Sequence, residues 1–268
     1  MRKLIKRNLA FAKLAVVTNL EYRLNYFVDA IAQPAIASLV EVALWTAVFA
    51  TSGKMEIGGF TKEYYLSYVI WAAFIARISS NWMYEFRMIE DINSGALNSA
   101  LTRPMSFFEY YFSQFMGYKI LTTLVSISVP LLACWIFDFP VSLTRLPATL
   151  LLVFYYLIFL YLLSFIVSTI SFYLARLYGL TMAKNLALWV LSGEIVPLDI
   201  FPEPSRSFLL NLPFASGVFT PIAYLTGRID HMALLNGFLS VTIGIFITAL
   251  LSFFAWKSGM KQYSGTGA

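Results

Sequence analysis

Charge is scarce in this 268-residue sequence: 12% of its residues are Asp, Glu, Lys or Arg, and 59% are hydrophobic. Soluble domains carry about a quarter charged residues, so the composition excludes a soluble globular protein and predicts an integral membrane protein. Cysteine occurs once, as Cys134 inside an apolar run. That excludes an internal disulfide and leaves a small buried hydrophobe as the reading. Histidine also occurs once, as His231, without companions at metal-ligand spacing. It reads as a residue of a loop beside the membrane. No GxxxxGK[ST] phosphate loop is present, so the chain does not bind ATP by that route. GxSxG and a Ser–His or Ser–Lys dyad on facing spans are missing too, which disfavours a membrane-embedded enzyme. The net charge of +5 reports loop orientation in such a chain rather than nucleic-acid binding.

What is present is a series of long apolar runs. Spans are predicted over about 30–50, 64–82, 115–137, 146–174, from about 180 to a break at Ser192–Gly193, and 234–255. Aromatic residues make up 17% of the chain, many near the ends of these runs, as in interfacial belts. Glu41 sits near the centre of the first span, where an acid costs about 2.5–3.5 kcal/mol. It reads either as a structural hydrogen-bonding group or as part of a cavity that accepts cationic cargo. Pro34 is expected to bend the start of that span, and the loop after it turns at Gly53, Gly58 and Gly59. Arg77 is expected to snorkel to the surface, with Lys119 at the same water face. The first 25 residues form a basic amphipathic helix, with Leu4, Ile5, Leu9, Ala12 and Val16 on one side, which belongs in the headgroup plane. They lack the uninterrupted apolar core of a cleaved signal.

Two intervals break the pattern. The first, 85–104, is polar yet keeps Phe86, Ile89, Ile92, Leu97 and Leu101 at helical spacings. It predicts short lateral helices on the water side, with Ser94 capping the second and Pro104 ending it. The second, 192–228, contains Pro197, Pro202, Pro204, Pro213 and Pro221. No continuous helix survives that spacing. Its apolar pieces, 205–212 and 215–225, are too short to span and read as half-helices entering the membrane from one side. Six spans put both termini on one side. Only Lys54, Lys62, Arg145, Arg206 and Arg228 then fall on the other, leaving fourteen of the 19 lysines and arginines with the termini. That bias sets both termini, and the 85–104 interval, in the cytoplasm.

Two stretches carry a resemblance to a known family. INSGALNSALTRP, from Ile92 to Pro104, looks like the signature that follows the second span in six-span permease subunits of ABC transporters of the type-2 exporter class. SGEIVPLDIFP from Ser192, LPF at Leu212–Phe214, Pro221 and Gly227 recur in that family's order. The C-terminal YSGTGA departs from the basic ending of relatives. The resemblance implies a single all-α permease domain over 1–268, half of an exporter in a bacterial plasma (inner) membrane. It implies a second permease chain, alike or homologous, and two copies of a cytoplasmic ATPase subunit, which bind the ATP. It makes 85–104 a coupling region, in which Ile89, Ile92 and Leu97 pack in a groove of the ATPase. Glu90, Asp91 and Arg103 would make polar contacts there, and Gly95 belongs to the same coupling set. It makes 192–228 an external gate with Pro197, Phe201, Pro202, Pro213, Phe214 and Pro221. The cargo would be an amphiphile, drug or toxin, lipid or glycan. The competing reading, an ATP-independent channel or secondary transporter, calls for inverted repeats, and none is evident between 26–137 and 146–256.

Overall fold

The computed structural model describes residues 2–102 and 104–265, the side chains of residues 2–5 aside. The chain is almost wholly helical. α1 (Arg2–Glu21) and α2 (Arg23–Phe27) lead through a π-helical turn, Val28–Ala32, into α3 (Gln33–Ser52). A small hairpin pairs Glu56–Ile57 with Phe60–Thr61 around Gly58–Gly59. Then come α4 (Lys62–Ile78), α5 (Trp82–Asn93), α6 (Leu97–Leu101), α7 (Phe107–Ser126) and α8 (Ser128–Phe137). The second half holds α9 (Leu146–Thr169), α10 (Tyr178–Leu191), α11 (Ser205–Asn211), α12 (Phe219–Leu225) and α13 (His231–Gly259).

Four stretches are long and apolar enough to cross a membrane: Arg23–Ser52, Phe107–Phe137, Leu143–Phe172 and His231–Gly259. They contain the expected first, third and sixth spans and all but the last two residues of the fourth. The expected second and fifth form α4, of 17 residues, and α10, of 14, shorter than the roughly 20 residues a bilayer asks for. The four are not equivalent. In the stretch containing α9, 61% of the most apolar window is buried, against 17%, 28% and 22% in the others. A helix apolar on every side belongs in an interior, and α9 is the axis on which α5, α12 and α13 pack. The outer helices bury one stripe and turn residues such as Leu39, Leu124, Phe246 and Phe253 outward.

α1 packs along α7 through its small residues. Phe11 meets Tyr110 edge-on, with ring centroids 5.3 Å apart, and Ala15 is buried. A Cβ on Gly117 would lie 2.3 Å from the Ala12 carbonyl oxygen, so the crossing requires glycine. Leu9, Leu14, Val17 and Leu20 face outward instead. Close helix approach selects small residues, and this leaves the larger aliphatic ones for lipid. Leu4 and Ile5, expected on the same side as Leu9, lie outside the described side chains.

Pro34 does open α3, directly after the π turn. A proline in helix leaves the carbonyl four residues earlier without a partner. Here that carbonyl belongs to Ala30, and the Ser126 hydroxyl donates to it at 2.7 Å. Ser126 itself precedes the α7–α8 break at Ile127, four residues before Pro130.

Arg77 and Lys119 correct the expectation of snorkelling. Arg77 is ion-paired with Asp29 on the π turn and donates to the Tyr118 hydroxyl at 3.1 Å. Lys119 is 1% exposed and donates to the Arg77 carbonyl at 3.0 Å and the Ser80 hydroxyl at 3.3 Å. A buried charge persists only with partners, and Asp29, nearly fifty residues before Arg77, supplies the counter-charge. Cys134 is buried as expected, its sulfur 3.2 Å from the indole nitrogen of Trp71. His231 begins α13, 2.8 Å from the Tyr224 hydroxyl.

The Ser126–Ala30 bond generates a prediction. Ser126→Ala strands a buried carbonyl and lowers unfolding free energy by about 1–3 kcal/mol. Ser128→Ala, at an exposed site with only a local bond to Val125, changes it by under about 0.5 kcal/mol. Thermal unfolding of the two variants in the same detergent checks this, and equal melting would remove the role given to Ser126.

Candidate functional site

The polar interval 85–104 folds as two short helices held rigidly against the bundle. α5 buries Tyr84, Glu85, Met88, Ile89 and Ile92, and α6 buries Leu97 and Ala100. Glu85, fully buried, pairs with Lys184 of α10, which also reaches the Ser164 hydroxyl of α9 at 3.4 Å. Gly95 joins the two helices at φ +79°, a left-handed conformation that glycine adopts without strain. The cap of α6 is Ala96 rather than the expected Ser94, whose hydroxyl accepts from the Ala96 amide at 3.4 Å. α6 ends at Leu101, before Pro104.

The expected coupling residues therefore separate into two groups. Ile89, Ile92 and Leu97 point into this chain's own core and hold the helices in place, so the outward surface is formed by their neighbours. Arg87 and Glu90 are exposed on α5, and Asn98 and Ser99 on α6. Asp91 is half-buried and accepts from the Tyr111 hydroxyl at 2.7 Å. Arg103 lies outside the described residues.

Both described terminal segments converge on this surface. Arg7 of α1 donates to the Pro104 carbonyl and pairs with Glu109 at 3.0 Å. Glu109 completes a capping box with Ser106 at the start of α7. Asn98 donates to the Gly265 carbonyl at 2.7 Å, and the Tyr263 hydroxyl lies 3.1 Å from Asn98 Oδ1. The tail thus has a docking contact that its unusual sequence did not announce; its last three residues lie outside those described. Glu85, Lys184, Tyr111 and Tyr263 were not singled out from sequence. The signal available was a buried-phase acid, Glu85, on the apolar side of an amphipathic helix.

At the opposite end, 192–228 forms α11, α12 and two 3₁₀ turns, Leu198–Ile200 and Pro213–Gly217. Every residue of α12 is buried. Asp199, with no exposed side-chain surface, organises this end: Arg228 pairs with it closely, Arg206 reaches it at 3.3 Å, and the Tyr64 hydroxyl donates at 3.3 Å. Arg228 also donates to Tyr64 at 2.9 Å and stacks 3.3 Å from the Phe60 ring centre. Burial, the largest influence on Arg228, lowers its pKa from the ordinary value, opposed by Tyr64. Arg145 ties the next loop in by donating to the carbonyls of Tyr224 and Ile229, both at 3.0 Å. Of the expected gate residues, Pro197 and Pro221 are buried, Pro202 is exposed, and Phe201, Pro213 and Phe214 are half-buried. Phe214 packs on Phe159 of α9 at 5.6 Å between centroids. Glu41, expected in a cavity or a structural hydrogen bond, has an Oε2 that is shut off from solvent and unbonded among the described residues.

Asp199→Asn should strand the buried Arg228 charge and destabilise this end by about 3–5 kcal/mol, as breaking a buried pair does. Arg206→Ala removes a third-exposed, longer contact and costs under about 1 kcal/mol. Limited proteolysis across 203–212 and melting temperature report both; equal susceptibility of the two variants would contradict the central place of Asp199.

The whole-chain comparisons accord with this geometry. A search of curated proteins returns no match. Residues 35–267 match the family model described as ABC-2 family transporter protein. That match covers most of the sequence, and the chain belongs to the ABC-2 family of transporter membrane proteins.

Proposed function

We propose that this chain is the membrane permease of an ATP-driven exporter and that the outward edge of α5 and α6 is where a separate ATPase pushes on it. Membership of the family implies an ATPase partner. On this reading two permease chains pair and bind two ATPase subunits. α4 and α10 serve as the second and fifth of six membrane segments. Both termini and the α5–α6 surface face the cytoplasm of a bacterial cell on this reading, which the lysine and arginine bias supports for the orientation. The 192–228 segment enters from the outside as a gate, and the cargo is an amphiphile, drug or toxin, lipid or glycan.

The observation that carries the reading is the way α5 is held. A surface that transmits force must not yield locally, and α5 is pinned to α9 and α10 by a buried apolar stripe and the Glu85–Lys184 pair. Its free edge presents Arg87 and Glu90. A push there moves the bundle rather than the helix.

The chain alone is expected to hydrolyse no ATP and to co-purify with its ATPase when the two are expressed together. Glu90→Arg, at an exposed site, should leave melting unchanged yet weaken ATPase capture about tenfold, or about 1.4 kcal/mol. Lys62→Glu, at the opposite end, should leave capture unchanged. Equal capture by Glu90→Arg and the parent chain would discard this docking surface.

A further inference from the structure

A cavity of about 580 Å³ lies where two of the membrane stretches begin, within the roughly 300–1,000 Å³ of small-molecule sites. Tyr26 and Asp29 on its wall belong to the start of Arg23–Ser52, and Tyr110, Gln114 and Tyr118 to the start of Phe107–Phe137. The second half of α1 and the first turns of α5 close the other sides. The cavity therefore straddles one boundary of the membrane. Five tyrosines line it, Tyr22 and Tyr84 with the three already named, and tyrosine suits that boundary because its ring is apolar and its hydroxyl polar. Leu14 and Tyr22, on the wall, are 50% and 60% exposed, and Leu20, Leu24 and Phe27 next to them also point outward. Lipid chains are what meets such residues at this depth.

The charge on the wall has one free sign. Arg87 is the cation among the lining residues and has no ion pair among those described; its guanidinium lies 5.5 Å from the centre of the Tyr84 ring. Asp29, the acid, is committed to Arg77 and to the Tyr118 hydroxyl. Lys119, behind the wall with its nitrogen 5.3 Å from the Tyr118 ring centre, is of the same sign as Arg87. A zwitterionic headgroup would find no free acid for its ammonium. A phosphodiester finds a guanidinium, whose planar fork of N–H groups matches phosphate oxygens. The amides of Asn19, Asn25 and Gln114 stand beside it, and an amide both donates and accepts, as a polyol headgroup requires.

We propose that this cavity holds the headgroup of an anionic glycerophospholipid, with the phosphodiester on Arg87 and the headgroup hydroxyls on the amides of Asn25 and Gln114. The acyl chains then run along the outward leucines of α1 and α2. The lipid is a bound component of the subunit rather than its cargo. Its placement in the cytoplasmic leaflet rests on the orientation proposed above; the binding itself does not.

Native mass spectrometry tests it, with the purified full-length chain in an uncharged detergent titrated with dioleoyl phosphatidylglycerol or dioleoyl phosphatidylcholine. Saturable retention of one phosphatidylglycerol is expected, with phosphatidylcholine held about tenfold more weakly or less. Arg87→Gln should weaken retention of phosphatidylglycerol about tenfold. Lys13→Gln, at an exposed position of α1 off the cavity wall, should leave it unchanged. Equal losses in these two variants would reduce the binding to general attraction between anionic lipid and a basic helix and overturn the proposal. Equal retention of the two lipids would overturn it too. Soluble glycerophosphoglycerol separates the lipid from a free phosphodiester: failure to displace the lipid supports the proposal, and displacement at matched concentration overturns it. Should Arg87→Gln not survive purification, Gln114→Leu decides: lower retention of phosphatidylglycerol supports the site and unchanged retention overturns it. The assay needs no ATPase. Failure of ATPase capture with intact lipid retention therefore sinks the docking surface alone, and the converse sinks the lipid site alone.

Discussion

A backbone carbonyl inside a bilayer has no water to turn to, and much of this structure is arranged to supply what water would. A proline inside a helix frees the carbonyl four residues behind it, and chain breaks free others; three such carbonyls here are met by hydroxyls from other elements. Ser126 donates to Ala30 behind Pro34 at 2.7 Å, Ser79 to Gly217 at the break before α12 at 2.8 Å, and Tyr68 to Gly193 just after α10 at 2.6 Å. Two of these three donors come from α4 or its end. The Phe219 amide adds a fourth closure by bonding the Ser192 carbonyl at 2.9 Å. Chain breaks that would each cost several kcal/mol in hydrocarbon become joints between neighbouring elements.

The same logic governs charge. Asp29–Arg77, Glu85–Lys184 and Asp199–Arg228 each join residues from elements distant in sequence. Buried pairs add little net stability against apolar residues of the same volume, but breaking one is expensive. Their effect is to fix which elements meet: the π turn with α4, α5 with α10, and the segment after α10 with the loop before α13. An apolar bundle alone would leave those registers open, since hydrophobic attraction is non-directional.

How much of this was legible in the sequence follows from range. Local signals gave the helical class, the lateral piece at 85–104 and the proline-broken segment, because spacing and proline act within a few residues. Pro34 was readable for that reason. The inward turn of Ile89, Ile92 and Leu97 was not: an apolar stripe shows that something covers it, and here the cover is α9 over α5 and α7 over α6 of the same chain rather than another subunit. Arg77 and Lys119 failed in the same manner. A lone cation in an apolar run looks like a snorkelling residue until its partner, 48 residues away, is known.

On the proposed reading, α4 and α5 together form the path between the two ends. Tyr64 at the start of α4 meets Asp199 and Arg228, Tyr68 holds the Gly193 carbonyl, and Ser79 at its end holds Gly217. Three residues later α5 begins and carries the outward edge with Arg87 and Glu90. A displacement of α5 therefore reaches Ser79 before any other joint. The bond to Gly217 is a single hydroxyl contact, weak beside the buried stripe that fixes α5 to α9. α12 is also packed on α4, with the Tyr68 and Phe219 ring centroids 6.2 Å apart, so on this reading a displacement of α4 is passed on to α12. The Glu85–Lys184 pair, the Ser79–Gly217 bond and the Asp199 cluster thus mark three successive contacts along α5, α4 and the 192–228 segment.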